Sequence, residues 1–280
     1  MSNQDVYELL WETRHKFIRD IIGAGETHPL RLHHLMAWFN RFYDIRGPID
    51  HAANADGFRL LPTGVPAFRR MAVEDREVTV PFYDNTNDFL VDMMIKEKPD
   101  AVVELGSGYG KNLLELYYRG GPRDVPYYAG EYTESGTAFA ETLAARSSDF
   151  RLIPFRFDHN APDLSIVKET DFVVFFTCHS IEQVAQLRAD YFKQLAAHAT
   201  RVIGVHFEPF GFQMPGAESE VDATQRRFFE AQGWNTNLHA VAEESAARGE
   251  ITLKCVEKNV MPNTDPTNPT SLIVWEAAGG

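Results

Sequence analysis

The sequence predicts an α/β fold in which a mostly parallel sheet carries helices on both faces and a helical region precedes it. Three observations predict it. From Pro99 onward short apolar runs alternate with helical patterns, the signature of strand–helix–strand units around a parallel sheet. The apolar run Val102-Val103-Glu104-Leu105 passes through Gly106-Ser107-Gly108-Tyr109-Gly110 into a helical pattern from Lys111 to Arg119, so a buried strand turns on glycines into a helix. Residues 1–98 read instead mostly as helix, which divides the chain into regions 1–98 and 99–280.

Within the first region, Val6, Leu9, Leu10, Phe17, Ile18, Ile21 and Ile22 recur at roughly helical spacing until Gly23-Ala24-Gly25. Thr27 serves as N-cap and Pro29 as first-turn residue of a second helix carrying Leu30, Leu32, Leu35, Met36, Phe39 and Phe42. Gly47-Pro48 stops it, and roughly the next 25 residues, including Leu61-Pro62-Thr63-Gly64-Val65-Pro66, read as an ordered loop with short turns. Asp84-Asn85-Thr86-Asn87 offers caps to a third helix with Phe89, Leu90, Met93 and Met94, closed by Pro99. Tyr83, at its start, either reaches a ligand pocket or packs beneath a loop.

In the second region strands are expected at 101–104, 127–131, 151–157, 171–177 and 202–207. Helices are expected near 111–119, 134–147, 183–197 and 219–232. Two closing strands, 250–259 and 270–276, follow the last of these with no helix between them, so the sheet ends in a hairpin.

The chain has 280 residues, 44% hydrophobic and 24% charged, the composition of an ordinary soluble protein. Its net charge of −13 disfavours nucleic acid and anionic membranes as partners. Cys178 and Cys255 form no close pair, which suits a reducing compartment. No apolar run approaches the roughly 20 residues of a membrane span, and the polar start of the chain is unlike a secretory signal. A cytoplasmic protein acting on a small molecule is expected, either alone or as a homodimer.

The stretch 102–110 resembles motif I of the class I S-adenosylmethionine (SAM) dependent methyltransferases. A nicotinamide- or flavin-binding turn would want G-x-G-x-x-G, which counted from Gly106 requires glycine at 111, where lysine stands. The resemblance covers roughly residues 82–276. It implies a Rossmann-like seven-stranded sheet whose last strand inserts antiparallel beside the fifth. It also implies SAM as cofactor, with S-adenosylhomocysteine (SAH) as product, and region 1–98 as a lid that selects the acceptor.

Ligands of open α/β sheets sit at the carboxyl ends of strands. Glu104, Gly106, Ser107, Gly108 and Gly110 would surround the methionine and ribose parts of the cofactor. The second strand ends in Glu131-Tyr132-Thr133, where a carboxylate can accept from a ribose diol. The third ends in Asp158-His159-Asn160; Asp158 would accept from the adenine amino group, and His159 or Asn160 would supply a backbone contact or a turn.

The fourth strand runs into Thr177-Cys178-His179-Ser180-Ile181-Glu182. His179 is the first candidate for general base, since imidazole takes a proton near neutral pH, and Glu182 is either part of the site or a helix cap. His206 and Glu208 alternate on one face of the fifth strand. With His179 and Glu182 they form an acid/base network about an acceptor hydroxyl, a divalent metal site, or a structural cluster. The first is favoured, and no metal ligands are assigned. Trp38, Phe39, Phe42 and Tyr43 are candidate pocket walls or core. The functional reading is O-methylation of a small acceptor with His179 as base. The alternatives are N-methylation of an amine or guanidine held by Glu182 and Glu208, and a non-catalytic SAM-binding subunit. Aminopropyl transfer, which wants paired aspartates after the fourth strand, does not fit Thr177-Cys178-His179.

Overall fold

The computed structural model describes residues 3–44, 47–48, 67–73, 76–82, 86–168, 170–216, 219–261 and 268–278. In chain order these form α1 (Asn3–Gly23), α2 (Pro29–Phe42) and the short strands β1 (Tyr43–Asp44) and β2 (Gly47–Pro48). The hairpin β3 (Ala67–Val73) and β4 (Arg76–Phe82) and the helix α3 (Thr86–Glu97) follow. The main domain runs β5 (Ala101–Leu105), α4 (Lys111–Tyr118), β6 (Tyr127–Glu131), α5 (Glu134–Ala144), β7 (Leu152–Arg156) and β8 (Phe172–Cys178). It continues with α6 (Tyr191–Ala196), β9 (Arg201–Glu208), α7 (Glu220–Gln232), α8 (Leu238–Ala247), β10 (Thr252–Met261) and β11 (Thr270–Ala278).

Seven strands make one sheet in the order β10-β11-β9-β8-β5-β6-β7. β7, β6, β5, β8 and β9 run parallel, while β11 lies antiparallel between β9 and β10. The antiparallel insertion beside the fifth parallel strand is the one expected. β5 is buried along its whole length, and its alternation divides the core. Val102 joins the layer under α1–α5 with Leu32, Met94, Leu113 and Phe139. Ala101, Val103 and Leu105 join the opposite layer with Phe192, Leu195 and Val241 of α6 and α8. This two-sided burial is why the strand reads as an unbroken apolar run.

The structure corrects four local expectations. The stretch read as loop ends in β3, whose partner β4 follows it with Val78, Val80 and Phe82 alternating with Glu77, Thr79 and Pro81, a period-two pattern. The expected helix 183–197 shrinks to α6, preceded by a 3-10 turn at Ile181–Gln183. Asparagine side chains take the backbone groups a helix would have used: Asn235 donates to the Val184 carbonyl, and Asn237 both accepts the Leu187 N–H and donates to its carbonyl, which satisfies them without a helix. α8, alanine-rich and so a good helix former, was not expected. At α2, which starts at Pro29, the N-cap position falls on His28 rather than Thr27, and the Glu26 carboxylate accepts the Thr27 and His28 N–H groups at 3.0 and 2.9 Å. Leu61–Pro66, Tyr83, Asp84 and Asn85 lie outside the described residues.

Candidate functional site

The direction of winding reverses at β5, which has β6 on one side and β8 on the other. The carboxyl ends of these strands diverge there and leave a crevice. A cavity of about 690 Å³ occupies it, floored by the β5 glycine turn and the ends of β6 and β8 and walled by α1.

The glycine turn is dictated by backbone angle and space together. Gly106, Gly108 and Gly110 all have positive φ, at 82°, 56° and 81°, the left-handed region where a Cβ is strained. A Cβ on Gly106 would lie 2.2 Å from the Ser180 Cβ, and one on Gly108 2.5 Å from the Trp11 ring. Gly106 and Ser107 both donate their N–H to the Gly130 carbonyl at 2.8 Å, which ties the turn to β6. Buried Ser107 and Gly110 complete the turn, and Gly110 leads directly into α4.

Three carboxylates border this floor. Glu104 is 1% exposed; its Oε1 accepts from Asn112 at 2.6 Å, while its buried Oε2 has no hydrogen-bond partner. Burial pushes its pKa up to about 8. Glu131 has both oxygens engaged: Oε2 accepts the Gly108 N–H at 2.8 Å, and Oε1 accepts the Thr133 N–H and hydroxyl at 2.9 and 2.6 Å. Thr133 in turn caps α5 through the Gly136 N–H. Tyr132 stands partly exposed at the rim and donates to Gln4 at 3.1 Å. Asp158 also borders the cavity, with its carboxylate accepting from the Asn160 backbone and side chain. His159 is buried, its ring held between the Tyr191 and Ser180 hydroxyls at 2.9 and 3.2 Å, and burial lowers its pKa to about 4. Neutral and doubly engaged, it positions Ser180 beneath the glycine turn.

At the other end the expected network separates. His179 lines the cavity in a left-handed backbone conformation, φ 52°. Its Nδ1 pairs with Glu182 Oε2 at 3.1 Å and its Nε2 with the Thr270 hydroxyl at 2.7 Å. Burial alone would lower its pKa, but the hydrogen bond and charge of Glu182, with Glu208 behind, leave it raised. Glu182 and Glu208 lie behind His179 rather than in the cavity. Glu208 spends its oxygens on the Ser180 and Glu182 N–H groups, and burial followed by the Glu182 charge pushes its pKa up to about 7. His206 is a correction. It is fully buried inside the sheet, with Thr177 on Nδ1 at 3.0 Å and the Trp275 indole donating to Nε2 at 2.9 Å. Burial drives its pKa down to about 3, so it cannot reach an acceptor or hold a proton near neutrality.

The walls also differ from expectation. Phe39 stacks on Phe17 at 4.4 Å and Trp38 is 53% exposed, so neither lines the cavity; the side chains of Phe42 and Tyr43 lie outside the described residues. The wall is instead Gln4, Tyr7, Trp11 and Arg14 of α1. Their spacing of three, four and three residues puts them on one helix face. That polar and aromatic stripe was legible in the sequence, but only its apolar counterpart was read. Glu8 fixes this helix by accepting the Glu134 and Ser135 N–H groups at the start of α5, where a carboxylate is favoured. Among the described residues no cluster of metal-ligating side chains is present, and no helix is long and apolar enough to cross a membrane.

No family model matches the chain, and no curated protein is similar to it. Solved structures similar to it in shape include magnesium protoporphyrin IX methyltransferase from Synechocystis PCC 6803 with bound SAH. That structure is 12% identical over 69% of this chain and 82% of its own, with a TM-score of 0.47. The methyltransferase CcbJ from Streptomyces caelestis is 12% identical over 69% and 90%, with a TM-score of 0.45. Geranyl diphosphate C-methyltransferase from Streptomyces coelicolor A3(2) is 11% identical over 69% and 77%, with a TM-score of 0.43. Similarity this low concerns the path of the chain alone.

Proposed function

We propose that the chain is a SAM-dependent methyltransferase that methylates an oxygen of a small acceptor, with His179 as general base and region 1–98 as a lid. One observation carries this reading: buried Glu104 lines the cavity, and its Oε2 has no hydrogen-bond partner among the described residues. A buried polar atom without a partner is costly, and an ammonium group such as that of the donor's amino acid moiety would satisfy it. Lys111, at the same rim, supplies the opposite charge for the donor's carboxylate. The glycine turn lets that moiety approach the backbone closely, and Glu131, held by Gly108 and Thr133, retains a lone pair on Oε2 for a ribose hydroxyl.

When bound, the donor supplies an electrophilic methyl group and leaves as a neutral thioether. The protein's work is then to orient the acceptor, exclude water and accept a proton. α1 closes the cavity with Tyr7 and Trp11. His179 takes the acceptor's hydroxyl proton on Nε2, which requires that nitrogen to exchange its Thr270 partner for the acceptor. Glu182 stabilises the resulting imidazolium through Nδ1. An oxygen acceptor is favoured over an amine because Glu182 and Glu208 are turned away from the cavity and committed to His179 and to backbone N–H groups.

Transfer of label from methyl-labelled SAM to a panel of hydroxylated small molecules, run beside amines, tests the reading. Labelled hydroxyl compounds support it. Labelled amines move the acceptor to nitrogen, and SAH binding with no transfer to any compound favours a non-catalytic subunit.

A further inference from the structure

Arg14 differs from the arginines of the described residues that are held by carboxylates. Arg31, Arg119, Arg156, Arg188, Arg201 and Arg248 each reach a carboxylate. Arg14 is half-buried in the cavity wall with its guanidinium over the Trp11 ring, 4.8 Å from the centroid, and it makes no ion pair or hydrogen bond among the described residues. A desolvated guanidinium carries its donors in a fixed fork and pays for burial unless an acceptor meets them. Asn40 of α2 borders the same cavity, and its buried side-chain oxygen is likewise without a partner; a flip of the amide presents its NH2 instead. Of the carboxylates bordering the cavity, Glu131 holds the glycine turn, Asp158 accepts from Asn160 and Glu104 accepts from Asn112, and none pairs with Arg14.

We propose that Arg14, with Asn40 on the same wall, receives an oxyanion of the acceptor, so that the substrate is a hydroxylated small molecule bearing a carboxylate or phosphate. The inference rests on the methyltransferase reading and narrows its acceptor class. Arg14 lies on the lid helix between Tyr7 and Tyr109, both near enough to feel its charge, and Tyr7 in turn is held by Gln183 beside His179. Lys111 also lines the cavity, within reach of the Glu104 charge. In this assignment Lys111, beside Glu104, serves the donor's zwitterion and Arg14 serves the acceptor. Burial lowers the Arg14 pKa, as expected of a guanidinium waiting for a counter-ion. A carboxylate or phosphate there forms a bidentate, charge-assisted pair in a low-dielectric wall, which fixes orientation as well as affinity. The same contact would draw α1 onto the bound acceptor.

The test follows the Arg14 side-chain Nε–Hε signal by NMR in protein saturated with SAH, at constant ionic strength. Inorganic phosphate and benzoate are the two probes, so the phosphate and carboxylate arms are read separately. A saturable shift with either is expected; read from the Trp11 indole N–H signal beneath Arg14, which all three proteins keep, the apparent affinity should weaken at least ~10-fold in Arg14→Gln and less in Arg14→Lys, with SAH affinity preserved in both. No saturable shift with either probe overturns the assignment. So does a shift seen only in SAH-free protein and abolished by SAH, which would give Arg14 to the donor. Should SAH itself not bind, the donor reading fails on that first titration. The Arg14 signal in the free protein then decides the anion site separately.

Discussion

The Glu131 carboxylate accepts the Gly108 N–H at 2.8 Å, so the end of the second parallel strand holds the glycine turn of the first. With Thr133 on its other oxygen, one side chain fixes the turn, the strand end and the start of α5. Glu131→Ala is therefore expected to weaken SAH binding at least ~10-fold, about 1.4 kcal/mol or more. Glu131→Gln, which keeps an acceptor for Gly108 but loses the charge, should fall between. Calorimetry on both variants checks the order.

Gly106 meets Ser180 where a Cβ would stand 2.2 Å away, at φ 82°. Gly106→Ala combines backbone strain with overpacking, each of order 1–3 kcal/mol. Its melting temperature should drop by several degrees, and SAH affinity should be lost with it. Gly120→Ala, where nothing lies within 4 Å, carries the left-handed strain alone, at φ 108°, and should leave SAH affinity near that of the wild type.

His179→Ala should reduce turnover by about 10²–10⁴-fold while SAH affinity stays within about threefold. A base must be neutral to act, so the wild-type rate rises with pH through the raised His179 pKa. Glu182→Gln removes the carboxylate that raises it and should move that rising limb to lower pH. An unmoved limb would remove His179 from the role.

Glu104 and Glu208 titrate near 8 and 7 in the folded chain because they are buried, against about 4.3 when unfolded. Between these values the native state holds more protons than the unfolded one, so their contribution is complete below about pH 4.3 and is lost as pH rises through 7 and 8. Ligand-free protein should lose melting temperature from about pH 5 to pH 8, and Glu104→Gln should flatten the loss. SAH, by placing an ammonium at Oε2, should flatten it too and release a proton on binding.

Much of this was legible in the sequence, for reasons particular to each residue. The β5 run and its glycines announce themselves because double-sided burial leaves no polar alternation and because positive φ at Gly106 and Gly108 admits little else. Glu104, Glu131 and Asp158 follow from where strands end. His206 misled because its one-dimensional spacing from Glu208 is right for a shared face, while the depth of that face in the sheet depends on β11 and Trp275, some seventy residues on. The α6 segment misled because its helix competes with side chains of Asn235 and Asn237, a long-range bargain that periodicity does not contain. Arg14 and Trp11 were readable as a stripe on α1, but their target is set only by the docking of α1 on α5 through Glu8.

The measurement that bears most directly on the central claim is calorimetric titration of the purified chain with SAM and with SAH, repeated on Glu104→Gln. Saturable heat with both ligands is expected from the wild type, with at least ~10-fold weaker binding by the variant, which cannot pair its charge with the ammonium. Absence of heat from either ligand, or equal affinity in wild type and Glu104→Gln, would contradict a SAM donor seated at the unpartnered oxygen of Glu104.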